Sequence, residues 1–315
     1  MNLEEAIIAT DKTMLDMVAS DVPILQEASE HIISAGGKRI RPRILFLAYQ
    51  ALGGTDLERA LPVAAAIELV HTATLVHDDI NDHGKVRRGR TTVNEKWGRT
   101  FALLTGDYLF TRVYMLMAPY ANLNVSFAEA TVALVEGETL QAAAVKNNTL
   151  NRETYQQIVA KKTASLFRAA AMLGAQLAGG EQQYVDALGE YGFFLGLAFQ
   201  IVDDLLDIIG DSTLMGKEVG VDVGQGKGVT RAYNAGNGNA GESTGVVVAQ
   251  LDSENGDDPF QAIKRKLIEG GAIEEGKRIA EALIAQANQA LDRLPPGPAV
   301  DDLRDLAAFV LERQA

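Results

Sequence analysis

The sequence predicts an all-α protein, and three observations carry that prediction. Apolar residues recur at three- and four-residue spacing along most of the chain. Ala, Leu, Glu and Gln, all good helix formers, dominate those segments. Alternating runs of β-branched residues are almost absent, and only Thr244–Gln250 passes for a strand.

The elements follow in order. Leu3–Ala19 and Pro23–Ser34 are the first two expected helices, and Gly36-Gly37 breaks the second. Arg41–Ala51 comes next and ends before Gly53-Gly54. Ala60–Asp79 runs into an Asp cluster, after which Gly84 to Arg90 forms a basic, glycine-containing loop. Val93–Ala118, Val125–Lys146 and Arg152–Leu177 follow, and Gly179-Gly180 separates the last of these from Gln182–Ile209. Asp258–Glu269, Ile273–Leu294 and Ala299–Arg313 complete the set. The stretch 216–258 is dense in glycine and poor in core-forming residues, so a flexible surface segment is expected there, ordered in part by ligand. No internal repeat interrupts the pattern, and residues 1–315 read as a single domain.

Composition narrows the function. At 47% hydrophobic and 23% charged, the 315 residues suit a globular protein with a sizeable core. A net charge of −13 argues against nucleic acid or an anionic membrane as partner. The chain has no cysteine, which excludes disulfides, thiolate catalysis and cysteine zinc sites. Its four histidines form no HExxH or His-x-His pattern. The N-terminus is acidic without a basic-then-apolar leader, and a cytoplasmic location is expected. Tyr191 to Gly210 is apolar, but Asp203, Asp204 and Asp207 within it argue for a buried helix with a functional acidic end and against a membrane span.

Two acidic motifs stand out, Asp78-Asp79-Ile80-Asn81-Asp82 and Asp203-Asp204-Leu205-Leu206-Asp207. Each places carboxylates four residues apart, on one helix face and about 6 Å apart along the axis. Like charges so placed weaken a helix, so a compensating cation is expected. All the candidate ligands are oxygens, which suits magnesium, an ion that keeps several waters and accepts phosphate oxygens. A lone Asp-Asp-x-x-Asp is as easily a solvated helix end. Two of them, 125 residues apart and each preceded by an apolar run, are much harder to assign to chance. Basic clusters accompany them: Gly36-Gly37-Lys38-Arg39-Ile40-Arg41-Pro42 at a helix start and Arg87-Arg88-Gly89-Arg90 after the first motif. Arg forks and helix N-termini both favour phosphate. Two polyanion sites are therefore expected, one reached through metal and one through Lys and Arg. No Gly-x-x-x-x-Gly-Lys-Ser/Thr loop is present.

With these residues in order, the sequence resembles the trans-isoprenyl diphosphate synthase family from about Gly36 to Lys227. The resemblance rests on Gly-Gly-Lys-Arg-Ile-Arg-Pro, His71, His77-Asp78-Asp79, Arg87-Arg88-Gly89, Lys162-Thr163, and Phe199-Gln200 before Asp203-Asp204. It implies an isoprenoid-synthase-type helical bundle around a central cavity, working as a homodimer. It also implies a magnesium-dependent prenyltransferase that condenses isopentenyl diphosphate with an allylic diphosphate, with several magnesium ions per site. By the same resemblance, Lys38, Arg41, His71 and Arg88 would bind isopentenyl diphosphate, and Arg87, Lys162, Lys217 and Lys227 the allylic diphosphate. Asp78, Asp82 and Asp203 would hold magnesium, supported by Asp79 and Asp207. Lys162, Thr163 and Gln200 would serve catalysis, the last two beside the developing allylic cation. His77 is read as packing beside the carboxylates, and Trp97 and Tyr108 as core.

The family pattern is departed from after Lys217, where Thr-Leu-Pro is missing and glycines follow Lys227. Ala73 and Thr74, five and four residues before Asp78, are small where a bulky residue would stop a growing chain. A product of geranylgeranyl length or longer is expected, shortened by Phe or Tyr at Ala73. Two other readings compete. A class I terpene cyclase normally lacks the second Asp motif, and a non-catalytic or regulatory subunit of a heteromeric synthase generally loses motif residues that this chain keeps.

Overall fold

The computed structural model describes residues 1–209 and 271–313. The glycine-rich stretch, the strand candidate Thr244–Gln250, the helix candidate Asp258–Glu269, Lys217 and Lys227 lie outside them. Among the described residues the protein is built of helices, as expected. They are α1 (Leu3–Met17), α2 (Pro23–Ile33), α3 (Ile40–Ala51), α4 (Leu61–Asn81), α5 (Val93–Trp97) and α6 (Arg99–Met117). Then come α7 (Asn124–Asn147), α8 (Arg152–Val159), α9 (Ser165–Leu177), α10 (Gln182–Ile209), α11 (Ala272–Leu291) and α12 (Pro298–Glu312).

Three local departures from the sequence reading have physical causes. The expected helix Val93–Ala118 divides at Gly98, whose φ of 85° ends α5 and starts α6. The expected helix Arg152–Leu177 keeps its course but loosens into a π-helical turn at Ala160–Ala164, between α8 and α9. Such turns widen the backbone ladder by one residue and are common at functional sites. The loop after the first Asp motif closes as a hairpin, β1 (Val86–Arg87) on β2 (Arg90–Thr91). Arg88 (φ 50°) and Gly89 (φ 70°) turn it, and two positive φ values in succession are what a two-residue hairpin needs.

The α4 helix runs through the core. Its Val63, Ala64, Ala65, Ala66, Ile67 and Leu69 are fully buried, each large one contributing roughly 1.5–3 kcal/mol. Its many alanines let neighbours approach closely. On α6, a Cβ added to Gly106 would stand 2.2 Å from His77 Nε2. His77 also stacks on Phe110, with ring centroids 6.2 Å apart, so it packs as expected. On α9, a Cβ at Gly174 would meet the Leu45 carbonyl oxygen of α3 at 2.2 Å. The segments Leu57–Asn81 and Gln182–Asp207 are long and apolar enough to cross a membrane by length and composition, but 72% and 61% of their most apolar windows are buried inside the fold.

Candidate active site

The starts and ends of these helices surround a cavity of about 910 Å³. Its lining includes Lys38 and Arg41 from the start of α3, and His71, Thr74, Asp78, Asp79 and Asp82 from α4. Arg87 and Arg88 come from the hairpin, Lys162 and Thr163 from the π turn, and Gln200 and Asp203 from α10. Residues expected to work together from far apart in the sequence therefore share one space.

The first acidic motif caps α4. The Asp82 N–H donates to the Asp78 carbonyl at 2.8 Å, which keeps the last turn helical and both carboxylates on the cavity side. Asp79, also on the cavity wall, is 2% exposed and accepts from Arg87 Nε at 2.8 Å. Burial pushes its pKa up to about 6; Arg87 opposes this, and Asp78 and Asp82 add to it. Its second oxygen, Oδ2, is buried without a hydrogen-bond partner among the described residues.

The second motif ends α10. Asp203 faces the cavity and pairs with Arg313 at 2.8 Å. Asp207, expected beside it, is 1% exposed and does not line the cavity. The structure therefore brings Asp78, Asp79, Asp82 and Asp203 together but leaves Asp207 outside. No three carboxylates or imidazoles among the described residues come close enough to enclose an ion alone. That spacing and the all-oxygen donor set suit a magnesium ion bound by one or two carboxylates, with water and substrate oxygens completing its shell.

A cationic group gathers on the side of the cavity formed by α3 and the hairpin. Arg88 donates to the Gly36 carbonyl, and its guanidinium lies so close to Gly37 that a Cβ there would meet it at 2.9 Å. Arg41 lies over the Phe167 ring, 4.7 Å from its centroid. Burial, with a smaller push from Arg88, lowers its pKa to about 10 against the pull of Glu68 and Asp203, so it stays charged near neutral pH. Burial, then Arg41 and Arg88, hold His71 well below its ordinary pKa, so it is a neutral imidazole among cations. Lys38 is also lowered, first by burial and then by Arg313.

Lys162 projects from the π turn toward α7. Its ammonium is 2.9 Å from Glu138, 3.0 Å from Gln141 Oε1 and 3.5 Å from Asp78. Burial works against its charge, but Asp78 and Glu138 outweigh that and raise its pKa. Burial and Asp78 push Glu138 up to about 7 against the pull of Lys162. The next residue, Thr163, donates its hydroxyl to Gln200 Oε1 at 2.8 Å, so the two expected neighbours of the allylic cation are in contact. Of the two small residues before the first motif, only Thr74 lines the cavity, while Ala73 is sealed in the apolar core at 0% exposure.

The polyprenyl synthetase family model matches residues 22–252. The chain belongs to that family. It is 34% identical to the octaprenyl diphosphate synthase of Escherichia coli (strain K12), over 99% of both chains. It is 35% identical to a short chain isoprenyl diphosphate synthase of Methanothermobacter thermautotrophicus, over 96% of this chain and 95% of that one. Among solved structures it resembles a polyprenyl synthase from Caulobacter crescentus CB15 complexed with calcium and isoprenyl diphosphate. There the TM-score is 0.87 at 32% identity, covering 99% of this chain and 96% of the other. The two sequence relatives differ in product class at nearly equal identity, so overall similarity does not select a chain length.

Several site residues escaped the sequence reading. Glu138 and Gln141 hold Lys162. Arg313, at the end of α12, lies over the Phe199 ring at 4.4 Å while pairing with Asp203. Tyr155 donates at 2.5 Å to Asp204, a residue of the second acidic motif to which the sequence reading gave no role. Lys162-Thr163 and the second acidic motif were the signals near them.

Proposed function

We propose that this protein is a magnesium-dependent trans-polyprenyl diphosphate synthase. It joins isopentenyl diphosphate head-to-tail (1′-4) to an allylic diphosphate and makes a product of geranylgeranyl length or longer. The observation that carries this reading is one cavity with Asp78, Asp82 and Asp203 on its acidic side and Lys38, Arg41, His71 and Arg88 on its cationic side. Cations alone suit a diphosphate that stays attached, as in isopentenyl diphosphate. Carboxylates that hold magnesium suit a diphosphate that must leave.

In this reading Lys38, Arg41 and Arg88 neutralise the diphosphate of isopentenyl diphosphate, and neutral His71 adds a hydrogen bond. Asp78, Asp82 and Asp203 hold magnesium, with Asp79 and Asp207 in support. Bound magnesium supplies charge neutralisation and Lewis acidity to the allylic leaving group. Arg87 and Lys162 contact that same diphosphate, and Lys217 and Lys227 are assigned with them. Thr163 and Gln200 turn uncharged dipoles toward the allylic carbon, which stabilise a cation without capturing it. The double bond of isopentenyl diphosphate attacks that carbon, and the departing diphosphate accepts the proton lost. Exposed apolar side chains on α6 and α7, among them Phe101, Leu104, Met115, Val132 and Val135, support a homodimer formed through these helices. Sedimentation of the purified chain as a monomer at micromolar concentration would remove the dimer from the proposal.

The deciding experiment incubates purified protein with magnesium, isopentenyl diphosphate and allylic primers from dimethylallyl to geranylgeranyl diphosphate. Magnesium-dependent elongation of at least one primer is expected. The absence of product from every primer would defeat the reading.

A further inference from the structure

Four side chains form one hydrogen-bonded chain beside the cavity. Tyr155 of α8 donates its hydroxyl to Asp204 Oδ2 at 2.5 Å. Gln200, one turn before Asp204 on α10, donates Nε2 to Asp204 Oδ1 at 2.9 Å. Thr163, on the π turn, donates to Gln200 Oε1 at 2.8 Å. Tyr155, Thr163 and Asp204 are 8%, 6% and 6% exposed, so water does not compete freely for these bonds.

The direction of the chain is forced. Both Asp204 oxygens accept, one from Tyr155 and one from Gln200, so Gln200 turns its NH₂ to Asp204 and its carbonyl to Thr163. Thr163 must then commit its one hydroxyl proton to Gln200, which leaves only oxygen lone pairs for the cavity it lines. Were the amide to flip, the hydroxyl would accept from it and point its proton into the cavity. The first arrangement stabilises a positive charge there and the second opposes it. Tyr155 binds the other Asp204 oxygen and so fixes the carboxylate's rotation. Asp203 and Asp204 both line the cavity, but Asp203 pairs with Arg313.

We propose that Asp204 and Tyr155 are positioning residues that set the polarity of the Gln200–Thr163 pair, so that oxygen lone pairs face the allylic cation. The inference rests on the reading of Thr163 and Gln200 as neighbours of that cation. It separates the middle aspartate of the second motif from its metal-binding neighbour: Asp204 acts through Gln200.

The test compares wild type, Tyr155→Phe, Asp204→Asn and the double variant in the magnesium-dependent condensation assay. It also measures binding of two unreactive allylic analogues, one with an ammonium where the cation develops and one uncharged. Asp204→Asn is expected to lower kcat by about 10- to 100-fold, with both KM values and the magnesium concentration for half-activity changed less than about twofold. Affinity for the ammonium analogue is expected to fall with kcat, while that for the uncharged analogue holds. Tyr155→Phe is expected to do the same more weakly. The double variant should recover part of the kcat lost in Asp204→Asn, because the new carboxamide, no longer shared with a phenol, can turn its oxygen to Gln200. A tenfold rise in the magnesium requirement of Asp204→Asn would make Asp204 a metal ligand and overturn the inference. Equal losses for both analogues, or additive losses in the double variant, would reduce the pair to scaffolding and overturn it too. An inactive wild type overturns the synthase reading and this inference with it; an active wild type beside unaffected variants overturns the inference alone.

Discussion

Gly137 on α7 tests whether the π turn positions the chemistry. A Cβ added there would stand 2.6 Å from the Lys162 backbone nitrogen and 3.0 Å from its Cα. Both are backbone atoms, so no side chain can swing aside. Relief to the 3.4 Å of an ordinary contact requires the turn to retreat by about 0.8 Å. On its far side α10 blocks that retreat, since a Cβ at Gly196 would already lie 2.7 Å from Ala164 Cα. Gly137→Ala gains about 1 kcal/mol of helix propensity against about 1–3 kcal/mol of overpacking. The melting temperature should therefore fall by only a few degrees, at roughly 2–4 °C per kcal/mol. Activity should suffer far more. Lys162 and Thr163 ride on the displaced backbone, and a misplacement near 1 Å costs on the order of 100-fold in rate. The assay is kcat for primer elongation beside a thermal melt. Gly276→Ala serves as control, because its Cβ would meet only the methyl end of Leu205 at 2.9 Å and that side chain can turn. Full kcat in Gly137→Ala, or a kcat loss no larger than the control's, would refute the positioning argument.

Three further outcomes are expected. Arg313→Gln should lower the magnesium concentration for half-activity about fivefold, because Asp203 then has one partner fewer to release, a pair of about 1 kcal/mol; an unchanged magnesium curve would count against competition at Asp203. In metal-free protein, Asp79 is destabilising once ionised, since burial raises its pKa from 3.8 to about 6. The folded state then holds a proton that the unfolded chain releases, so stability falls as pH rises from about 4 to about 6, by an amount on the order of 3 kcal/mol. Asp79→Asn should flatten that segment of the melting-temperature profile, and an unaltered slope would refute the assignment. Thr74→Phe should shorten the product by at least one isoprene unit, because Thr74 lines the cavity. Ala73→Phe, in a fully buried position, should mainly cost stability, about 1–3 kcal/mol. Shortening by Ala73→Phe alone would reverse that assignment.

What the sequence made legible was local. Asp78 and Asp82 share a helix face by spacing alone, and the structure keeps them there through one extra turn bond at Asp82. Helix identity was equally readable, because burial in α1 and α11 follows the three- and four-residue repeat. The failures lie where tertiary contact decides. A single glycine inside a helical pattern is usually tolerated, so Gly98 gave no warning of a break. Arg88-Gly89 lacks the Asn-Gly signature of a two-residue hairpin. Asp203 and Asp207 obey the same spacing as the first pair, yet only Asp203 lines the cavity. Glu138, Gln141 and Tyr155 are ordinary helical residues and Arg313 directly follows α12, and their partners sit 21 or more positions away.

In the proposed function, those illegible partners explain how so acidic a protein would keep cations ready for two diphosphates. Arg87 rests on Asp79, Lys162 on Glu138 and Asp78, and Arg313 on Asp203. Each pair joins a basic side chain to a carboxylate, and all of these residues line the cavity. Buried charges of either sign would be costly alone, and as pairs they are tolerated. On the proposed reading, a diphosphate bound with magnesium would satisfy both members together. Either ligand alone would leave one charge of a pair unmatched, so the two bindings would favour each other by the same factor. The ion pairs of the acidic motifs would then hold Arg87, Lys162 and Arg313 in place until both components of the substrate complex were present.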